Sequence, residues 1–184
     1  MKSISFFKII LTFMLFAAAE SICGADYSNS AGLKASNISG YGIYYSRKFG
    51  NDFRLQLMGV TYYYERSKSE ETRTIFNYDI GLEFHKYIYK TERTGVFWLA
   101  GGYFYYDDDT DDTPDRKTES VTNSYNIGTG LGIEFYRGHF IYNFDIGYKF
   151  FEDDIDTFID GDFRYNELKR VTKVGAGVGI GFLF

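Results

Sequence analysis

The chain has 184 residues and a formal net charge of −5, with 18 Tyr, 19 Phe and 20 Gly but one Pro and one Cys. So many aromatics exclude a disordered chain, while a negative mean hydropathy without a run of about 18 apolar residues excludes a helical membrane protein. An acidic balance with no basic stripe excludes nucleic acid as a partner, and one Cys excludes an internal disulfide.

At the start, Lys2 and Lys8 flank a stretch rich in Phe and Ile, and an apolar run continues to Ala19. A basic start, a short apolar core and small residues near a cut read as a secretory signal peptide over 1–25. Cleavage after Ala25 places Cys23 at the minus-three position, and cleavage after Ala19 is the alternative. A lipoprotein would need a small residue before the cysteine, where Ile22 stands. Removing 1–25 takes away two Lys and one Glu. That leaves 159 residues, 18 basic and 24 acidic, net −6, which fits one domain over 26–184.

From there the sequence alternates with period two. The weaker segments come first, at about 27–35, 37–49 and 53–66. In 74–85, Phe76, Tyr78, Ile80, Leu82 and Phe84 oppose Asn77, Asp79, Gly81, Glu83 and His85. Segment 95–107 is apolar on both faces, so its facing stays open. In 121–135, Tyr125, Ile127, Leu131, Ile133 and Phe135 oppose Ser124, Asn126, Gly128, Gly130, Gly132 and Glu134. In 139–150 the even positions from Phe140 to Phe150 are apolar, against His139, Asn143, Asp145, Gly147 and Lys149. The last segment, about 168–184, ends on GVGIGFLF. This gives eight strands in an all-β, antiparallel, up-and-down arrangement. The connections at 50–52, 90–94 and 137–138 are short and alternate with polar loops at 67–72, 108–120 and 152–167. The link near Ser36 is tight.

Two kinds of barrel would fit such a pattern, and the contents of the two faces decide between them. The interior of an eight-stranded barrel is just wide enough for side chains. Small and polar residues fit it, whereas rows of Phe, Tyr and Ile belong outside, against lipid. Aromatics gather at both ends of the strands: Tyr62–Tyr64, Tyr103–Tyr106 and Tyr148–Phe151 by the long loops, and Phe49, Phe53, Tyr87, Tyr89, Phe135, Tyr136, Phe140 and Phe184 by the short turns. Two such girdles mark membrane interfaces. The predicted fold is an eight-stranded transmembrane β-barrel.

With these features the chain resembles the small eight-stranded outer-membrane barrels of diderm bacteria, the OmpX/OmpA/OmpW-like class, across about 27–184. The resemblance implies residence in the cell outer membrane as a monomer among lipid and lipopolysaccharide. It also implies that the barrel assembly machinery and periplasmic chaperones act as partners during biogenesis. The last strand of that class carries a terminal pattern read as an assembly signal, and Gly179, Phe182 and Phe184 match it. Gly177 departs from it where a polar residue is usual.

The polar faces place Lys34, Lys48, Arg54, Lys149 and Lys173 in the lumen with Asp79, Glu83, Glu134 and Asp145. Buried charges persist when paired, so these residues are expected to fill the lumen with ion pairs. A gated ion path would need more room. Neither His85 nor His139 has a serine close by in sequence, and a satisfied lumen or rim histidine is the simpler reading. No His/Cys spacing fits zinc, and no motif calls for a cofactor. Residues 107–119 hold seven acids against two bases, and 152–162 hold six acids and no base. Such runs read as solvated loops rather than cation sites. The expected role is non-enzymatic: structural or interactional at the cell surface, as in envelope integrity or adhesion. A narrow porin-like channel for small or hydrophobic solutes and a lipid-modifying enzyme are the alternatives.

Overall fold

The computed structural model describes residues 27–68 and 71–184; the predicted signal peptide and the middle of the 67–72 loop lie outside the described residues. The described chain is eight antiparallel strands: β1 (Asn29–Ser36), β2 (Gly40–Phe49), β3 (Phe53–Lys68), β4 (Glu71–Lys90), β5 (Thr94–Thr113), β6 (Arg116–Arg137), β7 (Phe140–Ile159) and β8 (Asp162–Leu183). Each pairs with its sequence neighbour, and β1 pairs with β8 to close the barrel.

The predicted apolar rows face outward. Leu57, Ile80, Ile127, Ile146 and Val178 are each more than half exposed on the outer wall, where water would disfavour them. The wall is a lipid-facing belt, with the backbone of each strand in the closed part paired to both neighbours. In the 95–107 stretch, Phe97 and Leu99 point inward and are fully buried, while Trp98 points out.

The lumen is less polar than the sequence suggested. Tyr44, Met58, Phe97 and Ile141 share it with the charged side chains. They fit because glycines stand opposite: a Cβ at Gly132 would run into the Phe97 ring, and one at Gly181 into the Tyr44 hydroxyl. Tyr87 and Tyr136, expected in the lower girdle, instead turn inward to hydrogen-bond Glu134. Phe53 and Phe84 stack outside at that end, with ring centroids 5.4 Å apart.

Strand lengths are unequal. A membrane needs about 10 residues of tilted strand; β1 and β2 have 8 and 10, but β4 to β8 have 20 to 22. The predicted loops 108–120 and 152–167 are therefore mostly strand, forming hairpins that turn at 114–115 and 160–161. Asp160 and Gly161 both have positive φ (54° and 84°), as the tightest hairpin turn requires. Ladder pairing there needs no apolar face, because both faces are wet. Charges meet across it instead: Arg73 lies 2.6 Å from Asp109, and Arg170 2.5 Å from Glu152.

Above the short β1–β2 hairpin the barrel is no longer closed. β2 pairs with β3 only as far as Gly59, and β1 pairs with β8 only as far as Gly177. Residues 60–68 of β3 and 162–175 of β8 are the two edges of a six-stranded sheet that no further strand pairs. Unpaired edge groups cannot sit in hydrocarbon, so along these strands the lipid ends no higher than Val60 and Ala176.

Candidate functional site

The closed part of the lumen holds two joined clusters of charge. In the first, Lys34 from β1 reaches across to Glu83 of β4 (Nζ–Oε1 2.5 Å) and Asp145 of β7 (3.0 Å). Glycines flank Lys34 on both neighbouring strands, Gly42 on β2 and Gly179 on β8, leaving its stem room to cross. Ser36 donates to the other Asp145 oxygen at 3.1 Å.

In the second, Arg54 of β3 donates to Glu134 of β6 at 2.5 Å. The remaining Glu134 oxygen accepts from Tyr87 (2.6 Å) and Tyr136 (2.5 Å). His85 joins the two clusters. Its Nε2 contacts Glu83, its Nδ1 lies 3.5 Å from Glu134, and its ring stacks on Phe97 at 4.1 Å. Lys34, Arg54, Glu83, His85, Glu134 and Asp145 are all buried. Such groups are tolerated when paired, and removing one member strands the others.

The other charged residues of the polar faces lie elsewhere. Lys48 sits over the Tyr136 ring, 5.5 Å from its centroid. Lys149 and Lys173 are on the far side of the clusters, with their ammonium groups 4.9 and 5.0 Å from the Phe151 centroid. Asp79 accepts from the Tyr41 backbone N–H at 3.2 Å.

The β1–β2 link, Asn37–Ser39, is as tight as the sequence near Ser36 predicts. It folds into the lumen between the charge clusters and the outer end. Ile38 and Ser39 are fully buried. A Cβ at Gly128 or Gly175 would stand 2.5 Å from Ile38, and one at Gly101 would stand 3.1 Å from Ser39. Asn37 locks the link to β8: its backbone N–H donates to the Ala176 carbonyl at 3.2 Å, and its side-chain oxygen accepts the Ala176 N–H at 2.8 Å. The glycines of β5, β6 and β8 thus mark the space the link occupies. That signal is present in the sequence, but it cannot be read without knowing what crosses the lumen.

The histidines are placed differently from each other. His85 is bound by carboxylates within the clusters. His139 lies exposed in the β6–β7 turn, within 3.2 Å of the Tyr27 hydroxyl and stacked on Phe182. At the terminal strand, Gly179 faces Asn143 in the lumen and Phe182 packs outside against Phe140. Phe184 exchanges backbone bonds of 3.0 and 3.1 Å with Asn29. On the outer extension, burial pushes the Asp107 carboxyl up, with neighbouring Asp109 and Asp108 adding to it.

No family model and no curated protein matches the sequence. The structure is similar to that of a major outer membrane protein from Thermus thermophilus. The two align with a TM-score of 0.51 at 9% identity, over 85% of this chain and 98% of that one. The fold is that of the small eight-stranded outer-membrane barrels. Two other outer-membrane barrels also align with this one. They are the attachment invasion locus protein Ail of Yersinia pestis (TM-score 0.43, 16% identity, 85% of this chain and 97% of that one) and the N-terminal barrel of OprF from Pseudomonas aeruginosa (0.37, 18%, 85% and 96%). Within this barrel the lumen clusters and the tall, half-open extension are the features to be explained.

Proposed function

We propose that this outer-membrane barrel acts at the cell surface as a non-enzymatic interaction protein, with a lumen sealed by its charge clusters and by the Asn37–Ser39 link. The short turns face the periplasm and the extension stands outside the cell, the usual orientation of such barrels. The observation that carries this reading is the pair of bare edges, residues 60–68 and 162–170, which are exposed throughout. An unpaired strand edge is a template for a further strand. The sheet presents tyrosines and acids beside it, including Tyr62 and Tyr64 stacked 6.4 Å apart. A purely structural barrel would not need hairpins of twice the spanning length.

Shortening the β5–β6 and β7–β8 hairpins to the height of β2 tests this. Cells carrying the shortened barrel should lose surface attachment while the barrel still inserts. Unchanged attachment would reject the reading. The second reading, a narrow channel, is favoured by a cavity of about 430 Å³ at the outer end of the lumen. Planar-bilayer recordings separate the two, because a sealed barrel gives no resolved conductance steps.

A further inference from the structure

That outer cavity has a chemistry of its own. It lies on the outer side of the Asn37–Ser39 link, between β4, β5, β6 and β7, and is walled by Tyr41, Tyr103 and Tyr105. At one side is Asp79, 2% exposed. One of its oxygens takes the Tyr41 N–H at 3.2 Å, while the other is buried and makes no hydrogen bond. No cation lies within ion-pair distance of Asp79 among the described residues. The Asn126 carbonyl oxygen, also lining the cavity, is buried without a hydrogen bond.

Across the cavity stands the opposite deficiency. Among the described residues the Lys149 ammonium has a single hydrogen-bond contact, 3.4 Å to the Tyr103 hydroxyl; Asp153, which accepts from Ser124 at 2.6 Å, also lines the cavity but lies beyond ion-pair distance of it. Lys173 approaches the same Phe151 ring from β8, so two cations share one aromatic ring. Lys149 is half-buried and Lys173 exposed, whereas the Asp79 carboxylate is buried, where a charge without a partner is costly. In the clusters below the link such charges are matched, as Lys34 and Arg54 show.

We propose that the vestibule binds a small zwitterion, its ammonium on Asp79 against the Tyr41 and Tyr103 rings and its anionic group on Lys149. Tyrosine faces attract organic cations, and the buried carboxylate supplies the counter-charge. An inorganic cation is a poorer match, because hard cations need several oxygens at once and no group of three or more metal-ligating side chains exists among the described residues. A neutral sugar would use the hydroxyl and amide groups but leave both charges unanswered. The site does not depend on whether the barrel conducts.

The test uses the full folded barrel in detergent micelles and saturation-transfer NMR titrations. The probes are β-alanine and γ-aminobutyrate, with n-butylamine and butyrate as single-charge analogues and glucose as the neutral control. At least one zwitterion should bind saturably and about tenfold tighter than either single-charge analogue, the cost of one lost ionic contact. Binding should weaken about tenfold in Asp79→Asn and in Lys149→Met, both checked for native, heat-modifiable migration on gels. The comparison of analogues on the unaltered chain stands even if a variant fails to fold. Equal binding of all probes, preference for glucose or butylamine, no saturable binding of either zwitterion, or unchanged binding in natively folded variants would overturn the proposal.

Discussion

Replacing Glu134 with Ala should be among the most damaging single changes in the barrel. The substitution removes the acceptor of Arg54, Tyr87 and Tyr136 at once and leaves a guanidinium with 2% exposure and no carboxylate. Breaking a buried pair costs about 3–5 kcal/mol. Two tyrosine hydroxyls left without an acceptor would each cost about 1–3 kcal/mol. They can partly offset this by bonding to each other, being 3.3 Å apart already. A loss of about 5 kcal/mol follows from these terms. Replacing both partners, as Arg54→Met with Glu134→Leu, should restore the ion-pair share of it, because an apolar pair of similar volume needs no compensation, while Tyr87 and Tyr136 still lack their acceptor. Reversible urea unfolding in lipid vesicles reads both outcomes, and Trp98, the one tryptophan, reports from the lipid-facing wall. A Glu134→Ala barrel within about 1 kcal/mol of the parent would refute the reasoning. So would a double variant no more stable than the single one.

Ile180→Arg should cost about 2–4 kcal/mol near the bilayer midplane, and Ile146→Arg, beside Ala176 at the upper lipid boundary, less; if Ile180→Arg unfolds in urea like the parent, that row does not face lipid. Gly128→Val should lose about 1–3 kcal/mol by crowding Ile38, and Ile38→Ala in the same chain should recover part of the loss; a stable single variant would show that the link does not fill that space. Deleting Phe184 removes a rim aromatic whose full burial would be worth at most about 1.5–3 kcal/mol. The refolded barrel should therefore stay heat-modifiable while less of it reaches the outer membrane of cells, and normal insertion would reject a role in assembly.

The strands of the closed barrel are legible because one face must be apolar, so Phe76 to Phe84 and Phe140 to Phe150 announce themselves. The hairpins above lipid have no such obligation. Asp107 to Asp112 read as loop by composition, although backbone pairing extends β5 to Thr113. Even there Asp160-Gly161 was a turn signal, hidden among acids. The lumen is harder still. Alternation gives the side of the wall on which Lys34 or Glu134 lies, but which charges meet depends on how the barrel closes. Lys34 and Glu83 are 49 residues apart, Arg54 and Glu134 80. The inward turn of Tyr87 and Tyr136 has no sequence signal, because an aromatic at a strand end suits a girdle equally well. Nothing local marks a link that dives into the lumen, since Asn37-Ile38-Ser39 would serve equally well in an outward turn.

The shortness of β1 and β2 leaves a notch in the upper wall. With two strands missing, β8 and β3 stand three strand spacings apart, about 14 Å at roughly 4.8 Å each. The notch starts where the lipid must end, so the vestibule communicates with the membrane surface from the side as well as with the medium from above. A molecule moving along the headgroup layer can reach Tyr41 and Asp79 without climbing over the hairpins. A dense polysaccharide coat that shields the tips need not shield this doorway.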